Sequence, residues 1–431
     1  MKNFLLSILI LIFLISGLNA ETFTTALSKA YKNNSELNAE RENVNISEQE
    51  LKISQGNYLP TLTLSGSKSQ EDTGKLTNQS GGNATINDVD PLTKSILIEQ
   101  TLIDFGRGAE LSKSKIGINL AKTKLLKKEQ DILYKTTKAY TGLILANEKK
   151  NINRDNVELL SRQVETDRIR VERGQITLSD VSQSESSLAG AQAKLIQAEN
   201  ELLTAKLNYE NIIGLLNDPK SLDKNSINKY PLPESLNSAI EIAKNNNPDL
   251  TIAKLEYELT QKDNIIAKSD LAPTANLSLK RSYVDDLSST IDESEKDTIK
   301  ATISWPFYSG GKNIASLRKN KSVETRTRLI LDSVTKQNQT NVASAWSNYQ
   351  SNKSLLSSVQ AQVSAAEFAN EGITAEYNSG AGRTTLEVIQ SNSLLLNAQV
   401  LLANSERNFI LSQFNLLKSI GLLNSDYLKI E

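Results

Sequence analysis

Apolar side chains recur along this chain at two different periods, and each period predicts its own kind of element. Leu188, Ala191, Leu195, Ala198, Leu202, Ala205, Tyr209, Ile212 and Leu216 step alternately by three and four. That is a coiled-coil seam in which small Ala alternates with larger residues, so neighbouring helices can approach closely. Leu395, Ala398, Leu402, Ser405, Phe409, Ser412 and Leu416 repeat the seam 207 residues later with more serine. Elsewhere the period falls to two. Ile299, Ala301, Ile303 and Trp305 alternate with Thr298, Lys300, Thr302 and Ser304, and Leu277 and Leu279 alternate with Asn276, Ser278 and Lys280. These read as strands with one apolar and one polar face. Leu62 and Leu64 repeat the pattern among Thr61, Thr63 and Ser65, whereas Ile96–Ile98 is unbroken apolar.

The second half of the chain repeats the first. "ALSKAYKNNSEL" from Ala26 answers "AIEIAKNNNPDL" from Ala239 at an offset of 213, which also relates Pro60 to Pro273. Gly106 and Gly311 differ by 205, and the sequence "IGLLN" occurs at both Ile213 and Ile420. Two tandem copies follow, residues 21–217 and 235–431, joined by a proline-containing linker at 218–234. Each copy predicts a helix (Thr22 to about Gln55; Ser235 to about Ser269), two strands of about ten residues, and two long helices. The long helices are predicted over 107–172 and 178–216 in copy one, and over 312–376 and 385–423 in copy two. The region that loses register between copies, "EDTGKLTNQSGGNATINDVD" against "DDLSSTIDESEKD", reads as a pair of loop tips between strands. A continuous helix over 107–172 would be on the order of 100 Å long. The fold class is therefore mainly α with a small β part.

The first twenty residues, "MKNFLLSILILIFLISGLNA", place one lysine before an apolar run and end in small or polar residues. This is the order of a secretory signal peptide, and the run is shorter than the roughly 20 apolar residues that a spanning helix needs. Leu18 is unusual three residues before the expected cut, which leaves the cleavage site open. The chain has no Cys, which excludes disulfides and a cysteine-linked lipid.

Composition narrows the chemistry further. The 431 residues are 38% hydrophobic and 23% charged but only 5% aromatic, with 19 Gly and 8 Pro, a balance that favours long helices. Without Lys2 the chain carries 48 basic and 50 acidic residues, so no basic field gathers nucleic acid. There is no His, and neither Gly81–Gly82 nor Gly310–Gly311 has the spacing of a phosphate-binding loop. An enzyme is not expected, nor is a cofactor or a bound metal.

Two strands per copy make four per chain. Within lipid every backbone donor and acceptor must be satisfied, so a sheet crosses only as a closed barrel, and four strands cannot close. Two chains would supply eight strands and three would supply twelve. Twelve is preferred only if something must pass through.

Five stretches, "LPTLTLS" at Leu59, "QTLIDFGRG" at Gln100 with "WPFYSGGK" at Trp305, "RGQITLSDV" at Arg173, "YNSGAGRTTLEV" at Tyr377, and the two IGLLN ends, together resemble the TolC-like outer-membrane factors. The likeness runs over essentially the whole mature length. It implies a homotrimer whose twelve strands form one barrel in the outer membrane and whose helices form a tunnel through the periplasm of a Gram-negative cell. It also implies an exit duct for export or efflux that works with a periplasmic adaptor and an inner-membrane transporter of the ABC or RND type. Gly174 and the Gly380–Gly382 stretch would be helical hairpin tips that close the periplasmic mouth.

Carried over by motif, Asp180 would accept a hydrogen bond from Arg383 or Tyr377, and Glu387 would face the axis as a ring of three carboxylates. Family members often carry a second acid three positions on. This chain has Gln390 there, which puts a double ring in doubt. Trp305, Phe307 and Tyr308 would lie either in the interfacial aromatic belt or in a cluster just below the barrel. The competing reading is a secreted, soluble coiled-coil protein with a structural or adhesive role. The cargo is not legible in the sequence.

Overall fold

A computed structural model describes residues 21–72, 74–75, 77, 79–82, 88–216, 222–227, 230–288, 291–380 and 382–430. The signal-like segment and Asn217 lie outside these residues. Each copy of the repeat has the same order of elements. Copy one runs α1 (Phe23–Asn33), α2 (Ser35–Gly56), β1 (Thr61–Lys68), β2 (Leu92–Ile103), α3 (Arg107–Glu172) and α4 (Leu178–Ile212). Copy two runs α5 (Leu236–Asn246), α6 (Pro248–Ser269), β3 (Thr274–Ser288), β4 (Ile291–Ser304), α7 (Lys312–Ser379) and α8 (Thr385–Ser419), and a short α9 (Ser425–Leu428) follows. Among the described residues of the linker, Lys224–Ser226 forms a 3-10 turn. None of the described helices is long and apolar enough to cross a membrane.

Each predicted first helix proves to be two. Asn34 ends α1 by donating its N–H to the Ala30 carbonyl at 3.0 Å, and its side chain then accepts the Leu37 N–H at 3.2 Å. Asn247 does the same in copy two, donating to Ala243 at 2.9 Å and accepting from Leu250 at 3.2 Å. Asparagine stops one helix and caps the next because its short amide reaches the backbone on either side. Pro248, with no N–H to lose, occupies the first position of α6.

The chain divides into two compact units. One contains the described residues of Met1–Arg41, Lys124–Thr251 and Thr335–Glu431; the other contains Glu42–Thr123 and Ile252–Val334. In the second unit the strands form one antiparallel sheet in the order β1-β2-β3-β4, so that β2 and β3 join the two copies. Register brings Leu62, Ile98, Leu279 and Ile299 into one row across all four strands. Their exposures are 64%, 38%, 38% and 75%, so this apolar face is left uncovered along the whole row. A half-buried sheet of a soluble domain would cover that face. Among the described residues, the outer edges of β1 and β4 pair with no further strand.

The strands also correct one expectation. The "DDLSSTIDESEKD" segment is mostly strand: β3 continues through Asp285, which pairs with Glu293, and β4 begins at Ile291. Arg281 reaches Glu295 at 3.4 Å across the pair. Asp286, at φ 59°, marks the irregularity near the turn and accepts the Asp90 N–H at 2.5 Å.

The core of the first unit draws on both copies. Phe23 of α1 stacks edge-on against Tyr140 of α3 at 5.3 Å and against Phe414 of α8 at 5.5 Å. The Tyr140 hydroxyl lies 2.9 Å from the Glu21 carbonyl, 3.0 Å from the Asp223 carbonyl and 3.2 Å from the Ser226 hydroxyl, which ties the linker to this core. Lys224, which opens the 3-10 turn, bridges Glu148 of α3 and Glu406 of α8. Every described position of both seams is buried or half-buried, as the 3–4 spacing requires.

The two IGLLN ends are used differently. Helix α8 stops at Ser419, and Gly421 takes φ +83° directly against the α5–α6 elbow. A Cβ there would lie 2.2 Å from the Asn246 carbonyl oxygen, while the Asn247 side chain donates to the Ser419 carbonyl at 2.8 Å. Gly214 also has positive φ, +121°, but a Cβ on it would meet nothing within 4 Å.

Candidate functional site at the hairpin tips

Two helical hairpins end close to each other in sequence-equivalent places. α3 and α4 turn at Arg173–Thr177, and α7 and α8 turn at Gly380–Thr384. Both turns close with the same device. Thr177 accepts the Asp180 N–H at 3.3 Å, and Asp180 accepts the Thr177 N–H at 2.9 Å and its hydroxyl at 2.8 Å. Thr384 and Glu387 repeat this at 3.3, 2.8 and 3.0 Å. These are capping boxes, which satisfy backbone donors that a helix start leaves free. Backbone and hydroxyl donation from Thr177 holds the Asp180 carboxyl below its usual range. Donation from the Thr384 N–H, aided by Arg383, does the same for Glu387.

Asp180 is therefore occupied inside its own hairpin. Among the described residues it takes no bond from Arg383 or Tyr377, contrary to the expectation from the motif. Tyr377, only 2% exposed, donates its hydroxyl instead to Asp167 of α3 at 2.6 Å. Asp167 is fully buried and also accepts from the Ser184 hydroxyl of α4 and from the Gln163 amide at 2.8 Å. The Thr385 hydroxyl lies 3.0 Å from the Tyr377 oxygen. Arg170 completes the cluster: its guanidinium lies 4.1 Å over the Tyr377 ring and donates to the Tyr377 carbonyl at 3.1 Å. Burial, and then the bond to Asp167, push the Tyr377 hydroxyl above its usual pKa.

The result is a carboxylate hub that binds three neutral donors from both hairpins. Hydrogen bonds to a charged group contribute about 1.5–3 kcal/mol each, and a buried partner left without its bond costs a comparable amount. The motif gave no warning of Asp167, but the helical pattern does. Leu160, Val164, Asp167 and Val171 step by 4, 3 and 4, so an acid interrupts an apolar seam.

Arg383 stays within its own hairpin. It pairs with Glu376 at 2.6 Å and with Glu387 at 2.9 Å. Glu387 is thus half-exposed and already carries a cation beside it. Of the four predicted residues, Arg383 and Glu387 contact each other, whereas Tyr377 and Asp180 each find other partners.

At the end of β4, Trp305 donates its indole N–H to the Leu271 carbonyl at 3.1 Å, and its ring meets Phe307 edge-on at 6.2 Å. Trp305, Phe307 and Tyr308 are all exposed.

Comparison with known proteins gives consistent results. The family model described as "Outer membrane efflux protein" matches residues 26–215 and 239–422. The chain is 27% identical over 414 residues to the outer membrane efflux protein BepC of Brucella suis biovar 1, covering 96% of this chain and 88% of that protein. It is 22% identical over 418 residues to the outer membrane protein TolC of Escherichia coli, covering 94% and 83%. Among solved structures, CusC superposes with a TM-score of 0.80 at 16% identity over 93% of this chain and 92% of CusC. The open-state MtrE channel of Neisseria gonorrhoeae gives 0.76 at 17% identity over 94% and 90%.

Proposed function

The chain belongs to the outer membrane efflux protein family, and from that premise we propose that three copies close one twelve-stranded barrel, gated at the paired hairpin tips. The protein is an outer-membrane exit duct for export or efflux. The observation that carries the trimer is the sheet itself: an apolar row is exposed across all four strands while, among the described residues, the β1 and β4 edges have no partner. A bilayer suits the first feature, and only ring closure removes the second. Three protomers leave a lumen wide enough for traffic, whereas two give only the eight strands of a filled barrel. The helices support the same reading. Ile196, Leu203 and Leu207 form a second, exposed apolar stripe on α4, opposite its filled seam, as expected if another protomer packs there.

In this reading Asp167 and Tyr377 latch the copy-one hairpin to the copy-two hairpin inside each protomer. Asp180 stiffens its tip through the cap. Glu387 supplies one carboxylate of a threefold ring, with Arg383 offsetting part of its charge and fixing its direction. A periplasmic adaptor and an inner-membrane transporter, of the ABC or RND type, would deliver cargo and energy. The exposed Trp305, Phe307 and Tyr308 suit the membrane interface.

Single-channel recording in planar bilayers tests the gate. Asp167→Ala and Arg383→Ala should each raise conductance several-fold, and Asp180→Asn, which weakens only a cap, should change it little. Equal effects of Asp167→Ala and Asp180→Asn, or unaltered conductance in Asp167→Ala, would contradict the latch. The soluble coiled-coil reading requires a protein recovered without detergent, which the uncovered apolar row argues against.

A further inference from the structure

Beneath the α1–α2 elbow, a cavity of about 550 Å³ opens between α3, α4 and α8 within the first unit. Lys135 and Lys138 of α3, Arg407 of α8, and Asn208 and Asn211 of α4 line it. Its charge is poorly compensated. Glu36 at the rim lies 3.4 Å from Lys135 but is shared with Lys128 at 2.7 Å. Among the described residues, no carboxylate lies within ion-pair distance of Lys138 or Arg407. The Arg407 Nε is buried without a hydrogen-bond partner. A guanidinium carries five donors and no acceptor, so a half-buried one without an anion forfeits hydration that nothing replaces. Burial accordingly pushes its pKa down.

Two internal comparisons separate this from ordinary surface charge. A neighbouring cavity of about 600 Å³ also holds a lysine, but that residue, Lys224, is clamped by Glu148 and Glu406. The equivalent positions in the opposite copy of the repeat provide the other comparison. The α3 and α7 registers, set by Gly174 and Gly380, differ by 206, and they place Asn341 and Ser344 where copy one has Lys135 and Lys138. At the offset of 207 that relates α4 to α8, Arg407 corresponds to the neutral Asn200. The fold therefore builds the same helices without these three cations. Gly142 leaves room beside the guanidinium, since a Cβ there would lie 3.8 Å from Arg407 Nη2.

We propose that this pocket binds a small multivalent oxyanion, a phosphate or a di- or tricarboxylate, held by Arg407, Lys135 and Lys138 with the Asn208 and Asn211 amides as further donors. Charge-assisted, forked hydrogen bonds from arginine suit either group. Isothermal titration of the purified full-length protein in detergent tests it, with inorganic phosphate in one arm and citrate in the other. The expected result is saturable binding of at least one of them, one site per chain, weakening as salt is added. Arg407→Gln, and separately the double change Lys135→Asn with Lys138→Ser that copies the second repeat, should each weaken it about tenfold or more. Lys194→Gln, at an exposed position away from the pocket, should leave it unchanged. Binding by phosphate alone or by citrate alone identifies the headgroup. No saturable binding of either anion, equal loss in Lys194→Gln, or binding that survives the double change would overturn the proposal. The double change alters only exposed side chains, so it keeps the test valid should Arg407→Gln fail to assemble.

Discussion

Gly214 and Gly421 close equivalent helices with the same five-residue sequence, yet only one of them is confined. Gly421 lies against the backbone of the α5–α6 elbow, while Gly214 faces open space. The same inequality recurs at the tips. Copy one contributes the buried carboxylate Asp167, and copy two contributes the tyrosine that donates to it. It recurs again at the elbow cavity, where Lys135 and Lys138 of copy one and Arg407 of copy two each have a neutral counterpart in the other copy. Duplication supplied two similar frames, and the contacts between copies are made by residues that the frames do not share. The physical lesson is that a repeat can keep its helix periods, caps and strand order while its interfaces diverge, because periods are set locally and interfaces are not.

The largest expected effect separates the two glycines. Gly421→Ala requires backbone movement at Asn246 in addition to a left-handed alanine, so it should destabilise by several kcal/mol, on the scale of overpacking plus strain. Gly214→Ala should cost about 1–2 kcal/mol, the strain of the left-handed conformation alone. Thermal unfolding of the two variants in detergent measures the difference. Equal midpoints would mean that the contact at Asn246 is not what confines Gly421.

A smaller effect is expected from acid. Asp180 and Glu387 titrate lower in the folded tips than in an unfolded chain. Their stabilisation is complete above the unfolded carboxylate value, about pH 4, and is lost as pH falls through the depressed folded values. Amide exchange at Thr177–Ser182 and Thr384–Ile389 should therefore lose protection only below about pH 4. Tip two should be the more salt-sensitive, because Arg383 adds an exposed ion pair to its cap. Protection lost instead on raising the pH, or two tips that respond alike to salt, would break this comparison.

Much of the architecture is legible in the sequence because it is local. The seam of α4 and its copy in α8 and the alternating strands all follow from periods that packing then respects. The elbows at Asn34 and Asn247 escaped because helix resumes within one residue, so the apolar period hardly registers the break. The loss of register between the copies marks the β3–β4 turn as a loop tip but does not show how far the strands run into it. The backbone ladder continues through Asp285 and Glu293, beyond the apolar rows.

The site was half legible. Arg383 and Glu387 lie four apart on one turn, which fixes their meeting from sequence spacing alone. The partner of Tyr377 could not be fixed this way. Asp180 sits where its own helix start takes both donors of Thr177 on Oδ2, while Asp167 lies in a seam whose facing residue comes from the other copy.

The most direct test of the trimer exploits the absence of cysteine from the chain. Cysteines introduced at Thr63 in β1 and Thr298 in β4 label the two unpaired edges on one face of the sheet, and a flexible bismaleimide applied to membranes links edges that meet. The account predicts intermolecular products that stop at three chains on a denaturing gel, formed only when both cysteines are present. A ladder that stops at two chains or continues past three, or the absence of any intermolecular product, would contradict closure by threefold association.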